Sequence, residues 1–280
     1  MPTLRSGVTV TLERPEGDPV CSVLVLSGSS GRVERARCRW FADRGAAAIS
    51  LQWFGGIGQP AGICEVALET FVPALDELFA MHPRLAVLGA SKGAEAALLL
   101  ASFDPRIQLV AALAPTSVVW ANVGPGVDGH ERPQRSSWTR AGSALPFVPY
   151  DERWAPDDSA RPAWRGLYET SLRRRPDLAV AAAIPVEDIQ AAVVLTAGGD
   201  DRVWPSELFA HQIRSRRAAH HLATTVCVNG SAGHRVLLPG EAPPEADAEM
   251  ARGGTEDADR ALGSKLAGVL SELLGLTPGR

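Results

Sequence analysis

Six short apolar runs, "CSVLVLS" (21–27), "AAAISL" (46–51), "LAVLG" (85–89), "QLVAALA" (108–114), "AVVLTA" (192–197) and "TTVCVN" (224–229), constrain this chain more than any other feature. Each has the length of a strand and is apolar at successive positions, the pattern of strands buried on both faces. Helical periods lie between them. In "EVALETFVPALDELFAMH", Val66, Leu68, Phe71, Val72, Leu75, Leu78 and Phe79 fall near a 3.6-residue spacing, and Leu262, Leu266, Val269, Leu270 and Leu273 do the same near the end. Strand alternating with helix predicts an α/β fold with a mostly parallel central sheet flanked by helices and right-handed crossovers. In such a sheet a ligand sits outside the carboxyl ends of the strands.

The rhythm breaks between Pro115 and Gln190, which holds many prolines, four of the seven tryptophans (Trp120, Trp138, Trp154, Trp164) and no clean strand. A stretch of that length predicts a lid-like insertion at about 115–190 in a single domain spanning 1–280. "GEAPPEADAEMARGG" (240–254) reads as an exposed loop. With 45% hydrophobic residues in 280, the chain can bury a substantial core unaided. A net charge of −4 with scattered basic residues argues against a nucleic-acid partner. No apolar stretch is long enough to span a membrane. Cys21, Cys38, Cys64 and Cys227 show neither paired nor metal-type spacing, and the N-terminal residues contain no apolar signal core. The expectation is a reduced, cytoplasmic protein without structural disulfides.

"LGASKGAEAALLLASF" carries a Gly-x-Ser-x-Gly in which Ser91 follows one buried run and opens a helical one. A serine in a sharp strand-to-helix turn is the context of a nucleophile elbow, where Gly89 and Gly93 permit close backbone approach. A serine that merely caps a helix is the alternative reading. A hydroxyl needs a base, and the base an orienting acid. After the fifth run comes "GGDDRVWPSE", where Asp200 and Asp201 compete for that role. The Asp-x-x-Trp-Pro spacing puts Asp201 at the turn, whereas Asp200 could bond turn amides. After the sixth run, His234 sits in "GSAGHRV". Ser91, Asp201 and His234 follow the chain order of α/β-hydrolases. Taken singly, His234 could cap a backbone group and the Asp pair could charge a helix start. For the oxyanion, the N–H of Lys92 and that of Ser29 or Ser30 in "LSGSSGRVE" are the candidate donors.

Together, "LGASKGAEAALLLASF", "IPVEDIQAAVVLTAGGDDRVWPSELFA", "SAGH" and "GGTEDADRALGSKLAGVLSELLGL" resemble the C-terminal catalytic domain of the acyl-CoA thioesterase and bile acid-CoA:amino acid N-acyltransferase family. The resemblance implies an α/β-hydrolase fold, Ser91 as nucleophile, Asp201 as orienting acid, His234 as general base and no metal or organic cofactor. It implies a small-molecule acyl thioester, acyl-CoA foremost, as substrate. The chain departs from the family at "SGSSGR", where glycine is more usual, and at Ala94; about twenty residues of it precede the first buried strand, where multi-domain members carry a β-sandwich. The acyltransferase branch uses cysteine, so serine at 91 points to hydrolysis. An acyltransferase, an esterase or lactonase, and a non-catalytic binding protein of the same fold are the other readings; an intact Ser, Asp and His speaks against the last.

Overall fold

A computed structural model describes residues 8–157, 159–243 and 250–279. Its elements in chain order are β1 (Val10–Glu13), β2 (Cys21–Leu26), α1 (Arg35–Ala42), β3 (Ala46–Leu51), β4 (Val66–Ala67), α2 (Val72–Met81), β5 (Leu85–Ala90), α3 (Lys92–Phe103) and β6 (Ile107–Leu113). They continue with β7 (Trp138–Arg140), β8 (Ser143–Ala144), α4 (Arg165–Arg174), α5 (Pro176–Ala181), β9 (Ala192–Gly198), α6 (Ser206–Ala219), β10 (Thr224–Asn229) and α7 (Glu256–Leu274).

Seven strands form the central sheet in the order β1-β3-β2-β5-β6-β9-β10. β1 runs antiparallel to β3, and every other neighbouring pair is parallel. The six apolar runs are its parallel strands. Successive side chains of a strand point to opposite faces, and here both faces are covered. Leu24, Leu26, Leu85 and Val87 pack with Leu75 and Leu78 of α2, Leu98 of α3 and Ile213 of α6. Val23, Val25, Ala86 and Leu88 pack on the other side with Cys38 and Phe41 of α1 and Leu262, Leu266 and Leu270 of α7. The parallel register brings Leu26, Gly89, Ala112, Gly198 and Asn229 to one edge of the sheet, and the loops that follow β2, β5, β9 and β10 all leave from there.

Several features differ from the expected pattern. β1 has one buried residue in four, as an edge strand on a half-exposed face allows, and so carries no apolar run. β10, at the opposite edge, buries only Cys227 and so is not covered on both faces as its apolar run implied. The helix expected across 65–82 starts only at Val72, because Pro73 is tolerated in a first turn but not inside a helix. Before it, Leu68–Phe71 form a 3₁₀ turn, and the buried Val66, Leu68 and Phe71 imitate helical spacing. The 115–190 segment is not strandless: β7 pairs with β4 and β8 in a small three-stranded sheet, and α4 and α5 follow. Within 240–254, residues 244–249 lie outside the described ones, and the flanking residues are irregular. The first seven of the N-terminal residues lie outside as well. Cys21, Cys38, Cys64 and Cys227 are all free and buried. Burial pushes the Cys21 thiol up to about 11 and the Cys38 thiol to about 12. Among the described residues no helix is long and apolar enough to cross a membrane.

Candidate active site

Ser91 joins β5 to α3 with φ 55° and ψ −119°, a backbone conformation rare for a non-glycine residue. Its N–H donates to Leu113 O at 2.8 Å, while its carbonyl accepts from Ala94 N (2.8 Å) and Glu95 N (3.2 Å) to begin α3. The hydroxyl makes no capping hydrogen bond, so helix capping does not account for this serine. The glycines on either side are required by contact. A Cβ on Gly89 would lie 2.0 Å from Gly93 O, and one on Gly93 would lie 2.3 Å from Ser27 O. Ala94 is fully buried in the apolar core.

The loop after β2 closes over the serine. A Cβ on Gly28 would stand 3.1 Å from Ser91 Cβ and 3.7 Å from its Oγ. Gly28, Ser29 and Ser30 line one cavity with Ser91 and Lys92. Lys92 is the first residue of α3, so its N–H has no acceptor within the helix and carries the helix's partial positive charge. Gly28 packs close to Ser91 in the same loop as Ser29 and Ser30, a position that the sequence reading did not single out. Its signal was only a glycine two residues beyond a strand.

Asp201 and His234 meet across the turns after β9 and β10. Asp201 Oδ2 lies 2.9 Å from His234 Nδ1. The other oxygen, Oδ1, accepts from Val203 N (2.9 Å) and Trp204 N (3.2 Å), which sets the plane of a fully buried carboxylate. A carboxylate only accepts, so Nδ1 is the donor in this pair. His234 lines the same cavity as Ser91, its N–H donates to Arg252 O at 2.9 Å, and the ring of Trp204 stands edge-on to the imidazole with centroids 5.6 Å apart. Asp200 faces elsewhere. Its Oδ2 accepts from Gly254 N (2.8 Å) and its Oδ1 from Arg202 Nε (3.1 Å). The Gly254 amide leads the causes that hold the Asp200 carboxyl below the usual range.

The cavity has a volume of about 1310 Å³. One wall is aromatic and comes largely from the 115–190 segment: Tyr150, Trp154, Trp164, Leu167 and Tyr168, continued by Trp204. Trp120 and Trp138 are instead fully buried. Arg32, Arg35 and Arg37 belong to another wall. Arg173, Arg174 and Arg175 are not among the lining residues; Arg174 pairs with Asp151 and Arg175 with Asp177. Beneath Ser91, Lys92 Nζ donates to Glu95 Oε2 at 2.8 Å with both side chains buried. Glu95 Oε1 accepts from Trp120 N (3.0 Å) and Trp138 Nε1 (2.9 Å). Burial drives the Lys92 amine down, against the attraction of Glu95. Among the described residues, no group of three or more His, Cys, Asp and Glu is placed to hold a metal.

Residues 70–251 match the family model described as BAAT / Acyl-CoA thioester hydrolase C terminal. The chain belongs to this family. Among curated relatives, the mouse acyl-coenzyme A thioesterase 2, mitochondrial, is 26% identical over 80% of this chain and 47% of its own length. Human acyl-coenzyme A thioesterase 1 is 27% identical over 74% and 46%. This family member therefore spans about half the length of the curated relatives it matches. Among solved structures, an esterase of the Planctomycetes species Thermogutta terrifontis superposes with a TM-score of 0.54 over 97% of this chain and 89% of its own, at 13% identity. A likeness of that kind identifies the fold, and the fold is that of an α/β-hydrolase.

Proposed function

We propose that the protein is a serine thioesterase that hydrolyses acyl-CoA through an acyl-serine intermediate, within a single α/β-hydrolase unit whose 115–190 insertion forms the acyl wall. The observation that carries this reading is the 2.9 Å pairing of Asp201 with His234 on the cavity that also receives Ser91. In this scheme Ser91 Oγ attacks the thioester carbonyl while His234 Nε2 takes its proton and Asp201 holds the imidazole in orientation. The carbonyl oxygen becomes anionic, and the N–H of Lys92 with an N–H of the Gly28–Ser30 loop stabilises it at the start of α3. The intermediate collapses with cleavage of the C–S bond, and the proton on His234 passes to the departing thiolate. Water, deprotonated by His234, then attacks the acyl-serine ester and releases the acid. The wall formed by Trp154, Trp164, Leu167 and Tyr168 suits an apolar acyl group, whose transfer from water contributes about 0.8 kcal/mol per methylene. Four free buried thiols without paired spacing support a reducing, cytoplasmic setting.

The test is release of free CoA from acyl-CoAs of increasing chain length, wild type against Ser91→Ala. Turnover lost in the variant is the expected result. A wild type that turns over p-nitrophenyl esters and no acyl-CoA would remove the thioesterase reading and leave an esterase. Acyl transfer to an added amine in place of hydrolysis would move the protein to the acyltransferases.

A further inference from the structure

The turn that carries His234 is stitched to α7. The carboxylate of Asp259, in the first turn of that helix, accepts the N–H of Gly233 at 2.8 Å, one residue before the histidine. On the far side of His234, Leu237 N donates to the carbonyl of the same Asp259 at 3.3 Å. The helix end that holds Asp259 is itself secured. Thr255 caps it by accepting from Ala258 N at 3.2 Å, Asp259 N donates to Thr255 O at 2.9 Å, and Asn229 Nδ2 donates to Ala258 O at 3.3 Å. The chain at Gly233 also runs tightly against its neighbour, since a Cβ there would lie 2.2 Å from Gly253 O.

Asp259 is buried, and nothing in the hydrolytic scheme uses it. A buried carboxylate is costly to keep unless its hydrogen bonds are well used. Burial pushes its carboxyl above the usual range, with the Gly233 amide as the largest opposing influence. The side-chain bond of Asp259 therefore holds the Ala232–Gly233 peptide unit, in the turn that delivers His234 to Asp201 and the cavity of Ser91.

We propose that Asp259 is a positioning residue for the general base: it holds the Gly233 amide, and through it the main chain of His234, in the geometry that proton transfer from Ser91 requires. A displacement of the order of 1 Å in such a group can cost about 100-fold in rate. The inference rests on the functional reading above. It makes the helix that closes the chain part of the catalytic support, although no atom of that helix is asked to touch substrate.

Saturation kinetics with a fluorophosphonate test it, because phosphonylation of Ser91 needs the base but no knowledge of the substrate. Asp259→Ala is expected to lower the maximal inactivation rate by about 10- to 100-fold while leaving the half-saturating probe concentration within about twofold. Asp259→Asn, whose amide oxygen can accept the same N–H, restores most of the rate. Asp259→Glu, which keeps the charge but moves the acceptor by a methylene, falls between them and serves in place of the alanine variant if that one does not fold. Wild-type rates in both Asp259→Ala and Asp259→Glu would overturn the proposal, as would an Asp259→Asn variant as slow as the alanine one. If the wild type itself is not labelled, the functional reading fails and this inference with it; if it is labelled and the variants match it, only this inference fails.

Discussion

At the scale of single residues, the two adjacent aspartates have different work. Asp201 spends one oxygen on two turn amides and offers the other to His234, whereas Asp200 clasps Gly254 and Arg202. Under the proposed mechanism Asp201→Asn should cost about 10⁴-fold in turnover, because an amide in place of the carboxylate favours the wrong tautomer of the base. Asp200→Asn should stay within about tenfold of wild type. Steady-state CoA release compares the two variants, and equal losses would void the assignment. Asp200 has a different signature, in stability. Its folded carboxyl titrates below the unfolded value, so the stability it contributes is present above the unfolded pKa and is lost as pH falls through the folded one. The gap in Tm between wild type and Asp200→Asn is therefore expected to close as pH is lowered from about 7 to about 3. A gap that widens on acidification would contradict the hydrogen bond from Gly254.

Among elements, the turn from β5 to α3 is the most constrained. Gly93 lets α3 start against Ser27 O, so Gly93→Ala drives a methyl into main chain that cannot yield and is expected to cost about 1–3 kcal/mol or more. Gly268 is its control. It also lies in a helix, α7, but nothing stands within 4 Å of a Cβ built there, and Gly268→Ala should stabilise by up to about 1 kcal/mol. Urea unfolding of the two variants checks both signs at once. The helix expected over 65–82 teaches a related point. Its apolar spacing is genuine, since Val66, Leu68 and Phe71 are all buried. Periodicity records which residues face the core, and a strand followed by a tight turn can present the same residues as one helix. Pro73 was the local sign that the helix begins there, because proline fits only the first turn.

For the whole molecule, the link that matters is between the sheet and the 115–190 segment. Glu95 reaches from α3 to Trp120 and Trp138 in that segment while neutralising Lys92 beside Ser91. Glu95→Ala leaves a buried ammonium without its partner and should destabilise by about 3–5 kcal/mol; Lys92→Met with Glu95→Leu removes both charges and should recover much of that. Thermal unfolding of the single and double variants measures the difference. On the cavity side of the same segment, Trp164→Ala is expected to raise KM for long acyl-CoAs more than for short ones, with kcat nearly unchanged, since it removes apolar contact from a bound chain and leaves the reacting atoms alone. An equal effect at every chain length would place the acyl group elsewhere.

The sequence by itself determined the six parallel strands and the family, because strands covered on both faces read as near-continuous apolar runs and the order of strand and helix then selects a parallel sheet; that β10 is a half-exposed edge strand was left to the structure. It also placed Ser91, Asp201 and His234 each just beyond a strand end, since parallel strands deliver their following loops to a common edge. Only the tertiary structure decided which aspartate faces the histidine, that Gly28 packs close to Ser91, that Trp154 and Trp164 line the cavity while Trp120 and Trp138 do not, and that Asp259 meets the Gly233 amide. Each of those contacts joins residues far apart in the chain or depends on the direction of one side chain within a turn. Local periodicity holds no record of either; the packing of the folded chain creates both.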